Sequence, residues 1–567
     1  MSGAIGASAA DQRVTVVPLA GLRPGGELLA VSIALVLGAA VRVAPVVGAD
    51  FPVGDGGMFY VMVREIQRAG MTIPAATAYN AAGIPFAYPP LGLWLMALGG
   101  NVLPVPLLEL FQWWPVVCAV LMLPVFYLLA RRLLGSWLHA VVALGAFALL
   151  PRSFDWLIPG GGVTRAPGYL LALVAIYAMV VALDTGRRRY AIAAAFLAGL
   201  AVMTHPNAAM LTVVSLFVIT AFWRPTRRSV QILAIALGGA AIVSAPWWLS
   251  ALLRFGAAPL LSAVGTSSRS GPLLGMYRLF SFDFAEEPFL PWITALAALG
   301  IAWSLARRRF LGPAWLVTVV LLDANAAPTD ASIPIALFAA TGFVDVVAPR
   351  LADGPDDRPD HVRAAPSPVD SLLGSRAVRL SLVALTCVTF LGAIFRPIQD
   401  GSSDHAVPQD VRASMAWIAA STPADATFAV VAGRNADQVS EWFPALTSRR
   451  SVATIQGYEW LGSSRWWRQY DMNADLQACA SAADACVTDW MAQYGVTPTY
   501  VYLPKGRLTG PLSPSDCCTA LRQTLAASPA YAIAYDGPGA SIYWRRDSRL
   551  AAHWRHSTPV AGMASDP

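Results

Sequence analysis

The sequence predicts a polytopic α-helical membrane protein of about eleven transmembrane helices, followed by a C-terminal extracytoplasmic α/β domain. Three observations carry this. Of the 567 residues, 56% are hydrophobic and 13% charged, where soluble domains carry roughly 25% charged residues. Long charge-free runs recur along most of the chain. After Arg396 those runs stop, and short strand-like and helix-like patterns replace them.

The spans come first in the chain. Arginine clusters at Arg131–Arg132, Arg187–Arg189, Arg224–Arg228 and Arg307–Arg309 each separate two apolar runs. The positive-inside rule assigns those connections to the cytoplasm. Placing them there puts spans near 27–48, 112–130, 137–151, 163–183, 190–204, 207–223, 229–250, 289–306, 310–325, 331–348 and 379–396. An odd number of spans leaves the N-terminus, with Arg13 and Arg23, in the cytoplasm and the C-terminus outside. The chain then divides into a cytoplasmic tail (1–25), a membrane domain (26–398) with outer loops at 49–111, 152–162 and 251–288, an outer α/β domain (399–550) and a flexible tail (551–567). The first run is too long for a signal peptide and lacks a small-residue cleavage site, so it is expected to remain as a span. Leu351 to Arg379, rich in Pro, Asp and Arg, reads as a cytoplasmic linker. The net charge of +6 comes mainly from the clusters, so it reports orientation and argues against nucleic acid as a partner.

In the outer domain, "VPQDVRASMAWIAASTPADATFAVVAG" reads as an amphipathic helix ending at Thr422-Pro423 and then a strand from Thr427. "TPTYVYLP" is a further strand, and "AYAIAYDGPGASIYWRR" a hairpin about Asp536-Gly537. Four of the six cysteines, Cys479, Cys486, Cys517 and Cys518, fall here, as suits one or two disulfides in an oxidising exterior, with the pairing open. The alternative is four reduced thiols. No histidine spacing accompanies them to suggest a zinc site.

The first outer loop is "DFPVGDGGMFYVMVREIQRAGMTIPAATAYNAAGIPFAYPPLGLWL". Met58, Met62 and Ile66 recur at helical spacing with Phe59 and Val63 beside them, while Arg64, Glu65, Gln67 and Arg68 face elsewhere. That pattern predicts a helix lying in the membrane interface, with Asp55 immediately before it and the whole loop forming a lid.

These residues carry a resemblance. An acidic residue beside an aromatic-containing helix ("GDGGMFYVMVREI"), then "YPPLG", then "YLLARRLLG", resembles the GT-C class of membrane glycosyltransferases, in the protein O-mannosyltransferase and aminoarabinose transferase branch. The branch often has His where Tyr88 stands and an Asp-Glu pair where this chain has Asp55-Gly56. The resemblance implies sugar transfer at the outer membrane face, from a polyprenyl-phosphate-linked donor to a lipid, glycan or protein acceptor among membrane lipids. It leaves a divalent metal requirement open.

That chemistry needs a carboxylate to take the acceptor's proton and cations to meet the departing phosphate. Asp55 is the first candidate base and Asp50 the second; Asp55 alternatively only caps the helix, and Asp50 is alternatively a plain loop residue. Arg42, inside the first span, is either functional or snorkels to headgroups. The next outer loop offers Arg152, Asp155 and Arg165, with Gly160–Gly162 able to let backbone approach a ligand and a helix opening at Thr164. "GGVTR" resembles a Gly-Gly-x-Thr-Arg stretch of some bacterial members of the class. Tyr88 belongs to the substrate-binding set through the "YPPLG" turn, and His205 either joins it or caps a helix. Arg269 and Arg278 lie in the longest outer loop, which in related enzymes closes over the lipid donor. Trp442, Trp460, Trp466 and Trp467 suit either sugar stacking or a domain core.

Two other classes stay open. A transporter or flippase of a lipid-linked or anionic solute would show internal repeats and charges deep in several spans. Neither is evident in the sequence. A non-catalytic sugar-binding membrane protein would bind glycan through the outer domain alone.

Overall fold

A computed structural model describes residues 24–266, 277, 285–287, 290–322, 326–352, 372–399, 406–506 and 516–548. The helical part comprises α1 (Pro24–Val47), α2 (Gly57–Arg68), α3 (Leu91–Val102), α4 (Leu107–Leu134), α5 (Trp137–Leu149), α6 (Gly162–Thr185), α7 (Arg188–Val202), α8 (Pro206–Trp223), α9 (Arg227–Phe255) and α10 (Ala258–Gly265). It continues with α11 (Trp292–Ala306), α12 (Leu311–Leu322), α13 (Ala327–Ala352) and α14 (Arg376–Gln399). Among the described residues, seven helices (α1, α4, α6, α8, α9, α13 and α14) are long and apolar enough to cross a membrane. The chain is a polytopic helical membrane protein. The apolar helices α3, α5, α11 and α12 are shorter.

Burial sorts these helices. Protein encloses most of α6 and α13, whereas α1, α9 and α14 leave most of their side chains on the outside of the bundle, as apolar surface covered by lipid can be. Close packing relies on small residues. The buried Ala191, Ala194, Ala198 and Ala201 of α7 let it lie against α6 and α9, because without a hydrophobic drive in lipid, association depends on close backbone approach. Phe126 of α4 stacks on Phe147 of α5 at 4.2 Å.

Between α2 and α3 lies a short hairpin, β1 (Ala76–Thr77) with β2 (Ile84–Pro85). After α14 the chain forms a mixed five-stranded sheet of β3 (Thr427–Val430), β4 (Arg450–Ser451), β5 (Tyr500–Pro504), β6 (Tyr531–Asp536) and β7 (Ala540–Arg545), ordered β4-β3-β5-β7-β6. Strands β4 and β5 run parallel to β3, and β7 is antiparallel to both β5 and β6. The helices are α15 (Gln409–Ser421), α16 (Gln438–Thr447), α17 (Ser463–Ala478), α18 (Asp484–Tyr494) and α19 (Thr519–Ala527). Alternation along the strands fills two layers. Phe428, Val430, Tyr500 and Tyr502 pack with α15 and α16. Ala429, Val431, Val501 and Leu503 pack with α17, α18 and α19. Two disulfides form: Cys479–Cys486 ties α17 to α18, and Cys517–Cys518 joins adjacent residues before α19.

The apolar face of the helix expected in the membrane interface meets protein. Met58, Met62, Val63 and Ile66 of α2 are buried in protein, against α3 on one side and α16 on the other. An apolar stripe does not say whether lipid or protein will cover it, and here the α/β layer does. The first loop is bolted to that layer. The indole of Trp442 donates to Gly54 O at 2.8 Å, the Tyr79 hydroxyl donates to Glu441 O at 2.6 Å, and Asn80 pairs with the Ser451 backbone in both directions. Val53 and Ala406 form an isolated antiparallel bridge.

Candidate functional site

Three backbone segments meet at the seam between bundle and α/β layer: the loop 53–57, the glycine turn 160–162 and the start of α16. Glycine makes the approach feasible. A Cβ on Gly160 would fall 0.7 Å from the Asp55 carbonyl oxygen, and one on Gly57 would fall 2.3 Å from Glu441 O. The Gly160 amide donates to Val53 O at 2.8 Å. Gly160→Ala is therefore expected to part the seam, with a loss beyond the ~1–3 kcal/mol typical of overpacking because the clash is with backbone. Gly145, where an added Cβ meets open space, is the control: thermal unfolding of the detergent-purified protein should drop for Gly160→Ala and hold for Gly145→Ala.

At this junction the Asp55 carboxylate is held on both oxygens. Oδ1 accepts from the Gly161 amide at 3.3 Å, and Oδ2 accepts from Gln456 Nε2 at 3.1 Å. The Arg165 guanidinium lies 3.7 Å from Oδ1, with Asp55 40% and Arg165 10% exposed at the side chain. Asp55 is not the cap of α2. Gly56 occupies the N-cap, with no side-chain cap, so the capping alternative does not describe this residue.

Arg165 lies in the first turn of α6. Its Nη1 donates to Trp156 O at 2.7 Å and its guanidinium stacks 4.6 Å over the Trp156 ring. Tyr88 shares a 2.9 Å hydrogen bond with Thr164 of the same turn and packs edge-on against Phe59 and Trp460. His205 caps α8, its Nδ1 accepting from the Asn207 amide at 3.2 Å, while its ring faces Tyr88 and Trp156 edge-on.

Other expected site residues are placed apart. Asp50 forms an ion pair with Arg412 of α15, away from the Asp55 contacts. Arg42 is fully buried and spends its guanidinium on protein: Nη1 donates to Ala148 O (2.7 Å) and Gly38 O (3.0 Å), and Nη2 to Ser153 Oγ (2.9 Å). An intramembrane arginine can satisfy carbonyls at a helix C-terminus, and this one neither snorkels nor faces the seam. Arg152 pairs with Glu286, and Asp155 is half-buried in the turn after α5. Arg269 and Arg278 lie outside the described residues.

The α/β layer contributes residues that the sequence alone did not single out. Gln456 is the linchpin: its Nε2 donates to Asp55, its Oε1 accepts from the Met58 amide at 3.0 Å, and its own amide donates to Glu441 Oε2 at 3.2 Å. Glu459 Oε2 accepts from the Gly457 amide at 2.8 Å. Burial, with Asp55 nearby, pushes Glu441 up to about 8 and Glu459 to about 7. Both sit in motifs notable for tryptophan, "EWFP" and "GYEW". An acidic residue beside a core tryptophan was the available signal.

Those shifts have a sign. A carboxyl raised in the folded state gives stability that is complete below its unfolded value and lost as pH rises through the folded one. The protein is thus expected to lose thermal stability between about pH 5 and pH 8, as Glu441 and Glu459 (both raised from 4.5) are forced to ionise. Melting curves across that range should flatten in the Glu441→Gln, Glu459→Gln double variant. An unchanged slope would contradict it.

Among the described residues, no three His, Cys, Asp or Glu side chains are grouped to hold a metal ion.

Comparison with known proteins bears on the same regions. Residues 87–249 match the family described as dolichyl-phosphate-mannose-protein mannosyltransferase, a stretch that includes Tyr88 and Arg165 but not Asp55. No curated protein sequence matches the chain. Among solved structures, the oligosaccharyltransferase AglB from Archaeoglobus fulgidus, in complex with an inhibitory peptide and a dolichol-phosphate, is similar at a TM-score of 0.54 and 14% identity, over 84% of this chain and 69% of that one. ArnT from Cupriavidus metallidurans, bound to undecaprenyl phosphate, is similar at a TM-score of 0.50 and 13% identity, over 92% and 98%. The arabinofuranosyltransferase AftD from Mycobacteria is similar at 0.50 and 16% identity, over 93% of this chain and 40% of that larger one. With a family match inside the bundle and a common architecture around it, the chain has the fold of the GT-C glycosyltransferases and resembles their protein O-mannosyltransferase and aminoarabinose transferase branch.

Proposed function

We propose that the protein is a membrane glycosyltransferase that moves a sugar from a polyprenyl-phosphate-linked donor to an acceptor hydroxyl or amine, at the outer face of the cytoplasmic membrane. The observation that carries this reading is the geometry of Asp55. A loop carboxylate at the seam of a GT-C fold is fixed by an amide and a glutamine, stays partly open to solvent, and faces a guanidinium 3.7 Å away. The dolichol-phosphate and undecaprenyl phosphate named with two similar proteins support a donor of that class.

Each residue then has a task. Asp55 takes the proton from the acceptor as it attacks the anomeric carbon, which makes a better nucleophile without a free alkoxide. Arg165 stabilises negative charge gathering on the leaving phosphate, an effect that a mostly buried site strengthens. Gln456 holds Asp55 in one orientation, so the base is placed before the substrate arrives. With Glu441 raised to about 8 by burial, a protonated neighbour spares Asp55 a full like charge at neutral pH. Tyr88 and His205 wall the space beside Arg165.

Purified protein in liposomes, supplied with a polyprenyl-phosphate sugar and extracted envelope glycan or lipid, should yield glycosylated acceptor and free polyprenyl phosphate in equal amounts. Movement of intact donor across the bilayer with no bond cleavage would replace this reading with transport.

A further inference from the structure

Beside α2, a cavity of about 460 Å³ opens between the first loop and the α/β layer. Asp55 does not line it. Four arginines do: Arg64 and Arg68 from α2, with Arg449 just before β4 and Arg450 at its start. Among the described residues, the carboxylates lining it are Glu65 and Asp425. Among the described residues none of the four arginines makes an ion pair with either of them, although pairing is the common fate of neighbouring guanidinium and carboxylate groups. Arg449 spends its donors on neutral oxygens of Ala419, Thr422, Thr447 and Ser448, which fixes its position and leaves its charge uncompensated. Arg64 donates to the Tyr60 hydroxyl at 3.1 Å. Arg68 and Arg450 are exposed. Glu65 turns one oxygen to the Ala78 amide at 2.7 Å and so is held in the cavity wall.

Four guanidinium groups against two carboxylates leave the lining of this concave space with a net positive charge, which an entering anion would offset. We infer that this cleft binds the phosphate or carboxylate of an anionic glycan acceptor, and so selects the acceptor by charge. The inference rests on the transferase reading above and adds the acceptor's class. Distance supports it. Tyr60 to Arg68 lie 5 to 13 residues beyond Asp55, or roughly 8 to 20 Å along the helix at ~1.5 Å per residue. A glycan with its attacking hydroxyl at Asp55 and its charge one or more sugar units away spans that interval. Tyr79 joins the two places: it is among the residues that line the cleft, and its hydroxyl holds Glu441 O.

The test uses the full chain in phosphatidylcholine nanodiscs, titrated calorimetrically with hexagalacturonate and with the neutral maltohexaose. Hexagalacturonate is expected to bind more tightly and to weaken with added salt. Arg68→Glu, Arg450→Glu together should weaken it at least about tenfold, a change of ~1.4 kcal/mol, while Arg187→Glu, exposed at the start of α7, should leave it unchanged. Equal binding of the two glycans, or equal loss in Arg187→Glu, would overturn the inference. So would an isotherm abolished when phosphatidylglycerol replaces part of the phosphatidylcholine, which would give the cleft to lipid headgroups. No donor is present in this experiment, so the two readings fail separately: transfer without selective binding removes the cleft alone, and selective binding without transfer removes the enzyme and keeps an anion site.

Discussion

Asp55→Asn is expected to give a folded protein that transfers sugar at least about 100-fold more slowly, the lower range for losing a general base. The amide keeps one oxygen, which can still accept from the Gly161 amide. Its nitrogen would then face Gln456 Nε2, donor against donor, and Gln456 cannot turn without abandoning the Met58 amide. A stability loss of about 1 kcal/mol is the expected cost of that mismatch, too small to explain the rate. Asp50→Asn is the comparison, because Asp50 pairs with Arg412 instead and should transfer sugar at close to the original rate. Steady-state transfer and a thermal melt on the same preparations separate the two effects. Full activity in Asp55→Asn would move the base elsewhere, with Asp155 next to be tried.

Arg165→Ala should be nearly as damaging, at roughly 2 to 4 kcal/mol of transition-state stabilisation, in line with lost anion-stabilising donors. Two contributions are removed at once, the charge facing the leaving phosphate and the guanidinium that stacks on Trp156 and faces Asp55. Arg165→Lys separates them. Lysine restores charge but cannot reproduce a planar group that stacks while donating to Trp156 O, so it should recover part of the rate only. If turnover in Arg165→Ala matched the parent protein, the phosphate would have to meet another cation, and the account of the site would fail with it.

How much of this was legible beforehand follows from range along the chain. The apolar runs and the arginine clusters marked the helices because hydropathy is local, and the Asp536-Gly537 turn marked the β6–β7 hairpin for the same reason. Asp55 was legible as an acidic residue ahead of an amphipathic helix, and Gly160–Arg165 as a glycine turn opening another. What local pattern could not give was the partner of either. Gln456 meets Asp55 across 401 residues of sequence, and only the docking of α16 and the β4–α17 segment onto α2 brings them together. The same docking covers the apolar stripe of α2 with protein, a partner that its periodicity could not name. Arg42 illustrates the opposite failure: a charge within a span suggests chemistry, yet here the C-terminal carbonyls of α5 absorb it.

The central claim is that a lipid-linked phosphate comes to Arg165 and sets the sugar before Asp55. An electron cryomicroscopy structure of the full chain with polyprenyl phosphate tests it most directly. Phosphate oxygens are expected within hydrogen-bonding distance of the Arg165 guanidinium, at the seam where loop 53–57, the 160–162 turn and Gln456 meet. A phosphate held at the opposite end of the bundle, beside the Arg131, Arg187 and Arg224 clusters, would contradict it.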